Sequence, residues 1–482
     1  MDIKNLKALV LLVVWIGVSC SGQEKPVYPP PAIPEAAEIP DVKAYITTAN
    51  GSSKLEYKSE FINGVKDNLD VSLEVDKSTK FQEIDGFGFA LTGGSAQHIS
   101  NMNLDAQTSL LQELFGDTES AIKISYIRIS IGASDLNESP FSYNDLPNGQ
   151  IDIDQINFSL ANDQTILIPL LKKILEINPK LQIMASPWSA PTWMKTNNST
   201  IGGALKEEYY ESYALYLTKY LEAMKQEGVI ISSFTIQNEP LHEGNNPSMG
   251  MSWEQQANFI KNHLGPLMES KLIDSKLILY DHNADRPDYP ISILNDVDAN
   301  KYIAGSAFHL YGGNISALST VHNAHPDKGL YFTEQWYGAP GNFSEDLSWH
   351  TREIVIGAIR NWSRIVIEWN LSSNSALTPH TAGGCSLCLG GITIDGDAIT
   401  RNAGYYVIGH VSKFVGQGSV RINSYSPNNL PNVCFLNENS EVVMLVLNNS
   451  ESGQEFNVID GNTKFSAVLD AGSVATFIWK NI

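Results

Sequence analysis

Residues 164–187 read Gln164-Thr165-Ile166-Leu167-Ile168-Pro169-Leu170-Leu171-Lys172-Lys173-Ile174-Leu175-Glu176-Ile177-Asn178-Pro179-Lys180-Leu181-Gln182-Ile183-Met184-Ala185-Ser186-Pro187, and two periodicities meet in them. Ile166, Leu167, Leu170, Leu171, Ile174 and Leu175 recur at the spacing that gathers apolar side chains on one face of a helix. Asp163, just ahead, stands in N-cap position. The short apolar run Gln182–Pro187 then reads as a strand. Outward from this unit the same alternation continues. Strands are expected at 86–91, 124–131, Gln182–Pro187, 234–238, 277–281, 305–310, Gly329–Glu334 and 365–369, with amphipathic stretches such as 164–177 and 209–226 between them. Strands alternating with helices imply a parallel sheet, and eight of them suit a closed (β/α)8 TIM barrel of the α/β class. A doubly wound open sheet is the alternative, but no Gly-rich dinucleotide turn supports it.

The flanks have another texture. Residues 44–75 and 419–479 alternate short strands, such as 442–447 and 474–479, with turns such as Asn63-Gly64 and Gly472-Ser473. Both ends are β-rich, so one side β-sandwich built from the two chain ends is expected against the barrel. The expected boundaries are an export signal at 1–20, a tether at 21–41, N-terminal sandwich strands at 42–80, the catalytic barrel at 81–410 and C-terminal sandwich strands at 411–482.

With 43% hydrophobic and 18% charged residues among 482, the chain has the composition of a globular protein with a sizeable core. Its net charge of −21 argues against nucleic-acid binding, whose footprint is basic. Lys4 and Lys7 precede an apolar run at 8–18 that ends in Ser19-Cys20, the pattern of an export signal and too short for a membrane span. Cys20 is placed like the lipid-bearing cysteine of a bacterial lipoprotein, so the expectation is an exported protein held at the outer membrane only by that anchor. An ordinary cleaved signal is the alternative. Pro26, Pro29, Pro30, Pro31, Pro34 and Pro40 mark the following segment as an extended tether. Cys385 and Cys388 form a C-x-x-C pair in a Gly-rich loop with no second pair and no nearby His cluster. In an exported chain that favours a local disulfide over a zinc site or a redox motif. Cys434 reads as a small buried hydrophobe.

In such a barrel the chemistry sits at the C-terminal strand ends. The fourth strand ends Thr235-Ile236-Gln237-Asn238-Glu239-Pro240, and the seventh ends Tyr331-Phe332-Thr333-Glu334-Gln335-Trp336. A carboxylate beyond an apolar strand is expensive to bury without a purpose. Two of them about 5 Å apart across the barrel mouth suit retaining glycoside hydrolysis, whereas inversion needs a gap wide enough for water. Either glutamate alone is ordinary. Together they accompany Arg128, Asp135, Trp188, His309, Tyr311 and Trp369 at other strand ends, aromatic faces and fixed polar groups of the kind a sugar needs.

At these residues the chain resembles glycoside hydrolase family 30, which includes glucosylceramidases, endo-β-1,6-glucanases and some xylan-cleaving enzymes. The resemblance runs from about residue 81 to 479. It is carried by Asp85-Gly86-Phe87-Gly88, Tyr126-Ile127-Arg128-Ile129, Ala185-Ser186-Pro187-Trp188, Pro191-Thr192-Trp193-Met194-Lys195, residues 235–240, Phe332-Thr333-Glu334, Tyr405-Tyr406-Val407-Ile408-Gly409-His410 and Ser412-Lys413-Phe414. It implies Glu239 as acid/base and Glu334 as nucleophile. It also implies Asp135 and Trp188 in the subsite before the cleaved bond, Asn238 on the 2-hydroxyl, and Arg128, His309, Tyr311 and Trp369 lining the pocket. Strand packing is the alternative role for Arg128 and His309. Trp193 fits a packed loop as well as a ligand contact. Two departures stand out: Phe89 after Gly88, where many relatives have Gly-Gly, and the loop at 383–390, expected on the leaving-group side of the cleft.

The expected reaction is double displacement without metal or organic cofactor, on a β-glucan or β-glucoside. Glu239 would then need a raised pKa, from partial burial and the negative nucleophile. Endo cleavage of β-1,6-glucan by a monomer is the leading expectation. An exo-acting β-glucosidase or glucosylceramidase-like enzyme, a β-xyloside preference, and a non-catalytic glycan-binding lipoprotein are the alternatives.

Overall fold

The computed structural model describes Gly17 and residues 41–480; Cys20, the rest of the expected export signal and the tether through residue 40 lie outside the described residues. Eight parallel strands close a barrel: β1 (Gly86–Ala90), β2 (Tyr126–Ile131), β3 (Gln182–Pro187), β4 (Ser233–Thr235), β5 (Lys276–Ala284), β6 (Ile303–Gly313), β7 (Gly329–Glu334) and β8 (Ser363–Glu368). β8 pairs with β1, so no edge is left open. A Cβ at Gly88 would stand 1.9 Å from the Tyr126 carbonyl oxygen, so only glycine lets β1 and β2 approach this closely.

Strand alternation explains how the barrel makes a site. Tyr126, Met184, Ile278, Ala307, Tyr331, Ile365 and Ile367 form one apolar cluster inside it, while neighbours such as Ile127, Ile183, Phe234, Leu279 and Phe332 belong to the cluster under the surrounding helices. Two residues further along the inward face, apolar gives way to polar: Tyr126 to Arg128, Met184 to Ser186, Ala307 to His309, Tyr331 to Thr333. The plug and the site are successive layers of the same strands. On β5 a bulge breaks the alternation. Tyr280 pairs with Ala307 and His282 with Phe308, so Asp281 is skipped in the register, and Tyr280 and Asp281 both take positive φ, 73° and 63°. The bulge turns Asp281 toward the barrel axis and leaves Tyr280 against Tyr289 and Phe308.

The helix expected over 164–177 starts at Leu167, and its N-cap position is held by Ile166 with no side-chain cap. Asp163 is not the cap. Its carboxylate accepts the hydroxyl of buried Tyr143 at 2.5 Å, and a phenol in an apolar interior must find such a partner. β4 is shorter than expected, because after Thr235 the chain leaves the ladder and Glu239 reaches φ +47°.

Strands from both chain ends share one ten-stranded sheet, curled over its own core of Met444, Phe456, Phe465, Phe477 and Trp479 among others. Its long member, Ser72–Glu83, pairs antiparallel with Val420–Ser424 through its later residues and parallel with Gln454–Asp460 through residues 72–74. That one strand therefore serves both halves of the sandwich, and it continues to Glu83 before the chain enters β1 at Gly86. The fully buried His410, on the helix Ala403–Ser412, pins sandwich to barrel by bonding Thr476 and Thr47, one from each end of the chain, at 2.9 Å.

Candidate active site

The inward-facing polar layer converges on Asp281. Its Oδ2 accepts from Arg128 Nη2 at 2.8 Å, Ser186 Oγ at 2.8 Å and Thr235 Oγ1 at 2.7 Å; its Oδ1 accepts from His309 Nε2 at 3.1 Å and Thr333 Oγ1 at 2.8 Å. Donors on β2, β3, β4, β6 and β7 thus meet one carboxylate that is 0% exposed. Burial pushes Asp281 up, but Arg128 and His309 hold it far below the usual carboxylate range. This residue was not singled out from the sequence. Its only sign there is an Asp closing the apolar run Leu277-Ile278-Leu279-Tyr280.

Two of those donors carry the arrangement up to the glutamates. Arg128 Nη1 donates to Glu334 Oε2 at 2.5 Å, and its Nη2 also reaches Asn238 Oδ1 at 2.6 Å. His309 Nδ1 lies 3.2 Å from Glu239 Oε1, and the Tyr311 hydroxyl donates to Glu334 Oε1 at 3.0 Å. Glu239 and Glu334 each place a carboxylate oxygen within 4.8 Å of the other and of a His309 ring nitrogen. That spacing admits a nucleophile and an acid/base around one anomeric carbon. Among the described residues these three groups are also the set of His, Cys, Asp and Glu donors close enough to share a cation. Arg128 pairs with Glu334, and Asp281 with His309.

The pKa pattern corrects one expectation. Burial lowers His309, but the charge of Glu334 and the bonds to Asp281 and Glu239 more than offset it and raise the ring to about 9. The imidazolium therefore donates from both nitrogens. Burial would raise Glu239 as anticipated, yet the His309 bond and charge outweigh it, so Glu239 is lowered in the empty cleft. Burial raises Glu334 against the downward pull of His309 and Arg128. Burial, followed by the charge of Glu334, lifts Asp135 to about 7.

Above this layer opens a cleft of about 340 Å³, within the range of small-molecule sites, lined by Asp135, Trp188, Glu239, Tyr311, Glu334 and Trp369 from the expected set. Arg128, Asn238 and His309 do not line it. Arg128 and His309 are fully buried and held by carboxylates, and the Oδ1 of Asn238 accepts from Arg128. Trp193 is buried with its indole N–H on the Asn144 carbonyl at 3.0 Å, which makes it a packed loop residue. Trp336, His242, Asn245 and Asn283 line the cleft without having been anticipated. Trp336 had a signal, an aromatic two residues past Glu334; His242 and Asn245 come from the loop after Glu239, and Asn283 from the end of β5.

Cys385 and Cys388 are joined by a disulfide and both line the cleft. Their loop meets Asp135 and the two tryptophans of the cleft wall. Cys385 N–H donates to Asp135 Oδ2 at 3.1 Å, and Cys388 packs with Trp188 and Trp369. This is the wall on which the resemblance places the sugar before the cleaved bond. The residue just after that loop packs on the other departure: a Cβ at Gly391 would stand 2.6 Å from the Phe89 ring.

Comparison with known proteins agrees with this geometry. Residues 84–415 match the glycosyl hydrolase family 30 TIM-barrel domain, and residues 418–477 match the family 30 beta sandwich domain. An endo-1,6-beta-D-glucanase of Neurospora crassa is 33% identical over 418 residues, spanning 82% of this chain and 85% of that protein. The lysosomal acid glucosylceramidase of Mus musculus is 27% identical over 465 residues, spanning 90% and 88%. The solved endo-beta1,6-glucanase BT3312 superposes with a TM-score of 0.85 at 34% identity, over 92% of this chain and 100% of that one. A paired-glutamate cleft at the C-terminal mouth of an eight-stranded barrel, and family matches across both of its domains, lead to one conclusion: the chain belongs to glycoside hydrolase family 30 and is a glycosidase.

Proposed function

We propose that this chain cuts β-1,6-glucan internally by retaining double displacement, with Glu334 as nucleophile and Glu239 as acid/base. The observation that carries the mechanism is the approach of the two carboxylates to within 4.8 Å. The choice of glucan rests on the relatives named endo-1,6-beta-glucanases, which are 33–34% identical, against 27% for the glucosylceramidase.

In the first step a Glu334 oxygen bonds to the anomeric carbon as the glycosidic C–O bond breaks, and the Glu239 proton goes to the departing oxygen. Arg128 and Tyr311, on the two oxygens of Glu334, keep that carboxylate oriented. Bound sugar strips water from Glu239 and so raises it toward the protonated form that the empty cleft disfavours. Once Glu334 is esterified its charge is gone and Glu239 becomes a stronger acid than before. It is then ionised and ready to take a proton from water, whose oxygen displaces Glu334 and releases the sugar with retained configuration.

The test is a product time course on a β-1,6-glucan, in which a ladder of oligosaccharides at the earliest times is expected. Glucose alone from the start would exclude internal cleavage and favour an exo-acting β-glucosidase. No turnover on any β-glycoside would favour a glycan-binding role. We also propose export with a lipid anchor on Cys20, supported by the charged, then apolar, then Ser19-Cys20 pattern. Labelled fatty acid should enter the wild type and not a Cys20→Ala variant.

A further inference from the structure

We infer that the Cys385–Cys388 disulfide is a positioning element for the known reaction: it holds the loop that fixes Asp135 as the hydroxyl acceptor on one wall of the sugar site. The inference rests on the reading of Asp135 as a sugar-binding group.

Three contacts join this loop to Asp135. Thr381 N–H donates to the Asp135 carbonyl at 2.9 Å, Cys385 N–H donates to the Asp135 side chain at 3.1 Å, and Gly384 lies so close that a Cβ there would be 2.5 Å from the same carbonyl oxygen. The segment is tied at its other end too. Cys388 and Leu389 pair with Gly338 and Tyr337, immediately after the nucleophile's strand, and Ala339 N–H donates to the Leu387 carbonyl at 2.8 Å. Asn246, on the loop that follows Glu239, donates to the Ala382 carbonyl at 3.0 Å. The segment 381–389 therefore spans the loops carrying Asp135, Glu239 and Glu334.

Within that segment the stretch between Thr381 and Cys388 has little secondary structure of its own, and Ser386 and Leu387 are exposed. Without a covalent tie, ordering it costs backbone entropy at every residue. The disulfide closes the turn that delivers Cys385 N–H to the carboxylate. A buried carboxylate with one donor removed favours its neutral form, and a neutral Asp135 is a poorer acceptor for a sugar hydroxyl. Burial and the Glu334 charge already raise Asp135, and the Cys385 N–H is a contact that opposes them.

The experiment uses the full chain and four forms: wild type, Cys385→Ser/Cys388→Ser, Asp135→Asn, and the three changes together. Steady-state kinetics are measured on β-1,6-glucan, or on an aryl β-glucoside if the wild type leaves glucan uncut, so that a wrong substrate shows in the wild type alone. Loss of the disulfide should raise KM about tenfold with a smaller change in kcat, and move the acidic limb of kcat/KM to higher pH. In the Asp135→Asn background the same loss should change KM by less than twofold, since the contact it serves is already gone. Gly384→Ala, which keeps the disulfide and crowds the Asp135 carbonyl, should reproduce the KM effect if the serine variant folds poorly. An unchanged KM and pH profile without the disulfide, or equal effects in both backgrounds, would overturn the inference.

Discussion

The barrel mouth and the sandwich core are both fully buried, yet they are stabilised on different terms. Within the sandwich, Met444, Phe456, Phe465, Phe477 and Trp479 pack apolar surface, and the buried acid Asp460 is satisfied by the Trp479 indole at 2.9 Å and by Lys77. The barrel mouth holds Arg128, Asp135, Glu239, Asp281, His309 and Glu334 almost out of reach of water. Buried ion pairs of this kind are weak contributors to stability, because the desolvation cost approaches the Coulombic gain. A fold that keeps six such groups in one layer is keeping them for chemistry, and substitutions in the two regions should therefore separate activity from stability.

The largest effect is expected at the two glutamates. Glu334→Gln and Glu239→Gln should each lower kcat by at least ~10³-fold while leaving circular dichroism and melting close to wild type. Full hydrolysis by either variant would break the assignment. Asp281→Asn comes next. It removes the charge that holds both Arg128 and His309, so kcat/KM should fall about 10²-fold and stability by about 3 kcal/mol, read from turnover and urea unfolding. Met444→Ala is the sandwich counterpart: about 3 kcal/mol lost by the same unfolding assay, with kcat/KM unchanged. Loss of activity without loss of stability there would erase the contrast between the regions.

A pH dependence sharpens the comparison further. The folded pKa of His309 is raised from 6.5 to about 9, so its protonated form adds stability fully present below pH 6.5 and lost as pH rises through 9. The stability gap between wild type and His309→Gln should thus narrow between those values, by at most about 1.4 kcal/mol per pH unit. Parallel unfolding curves at pH 6 and pH 9.5 would refute the charged state assigned to the ring.

What could be read in advance follows from the range of the signals. The eight strands were legible because β-branched and apolar runs alternate with helical periodicity, a local property. Glu239 and Glu334 were legible because each closes such a run. Asp281 closes one as well, but its importance comes from Ser186, Thr235, His309 and Thr333, which converge only when the barrel shuts, and from a bulge that needs positive φ at Tyr280 and Asp281. Asp163 misled for the opposite reason: a residue type suited to capping was claimed by the distant hydroxyl of Tyr143. The placement of the Cys385–Cys388 loop was likewise unreadable, since it is set by distant contacts, among them the backbone bond from Cys385 to Asp135 across 250 residues.

The sheet shared by both chain ends also bears on how the protein is made. The register sets Val42–Thr47 opposite residues 474–479 along its whole length, whereas its other neighbour, Glu56–Tyr57, meets only Tyr45 and Ile46. At translation rates of roughly 5–20 residues per second the wait for that long pairing lasts about 20–90 s. Throughout it, one edge of the strand that carries Ala44 and Ile46 toward the sandwich core has no partner. The barrel can assemble in the interval, but the sandwich cannot. A holdase should therefore find its footing on nascent chains at residues 42–47, and release should follow synthesis of the Val474–Lys480 strand.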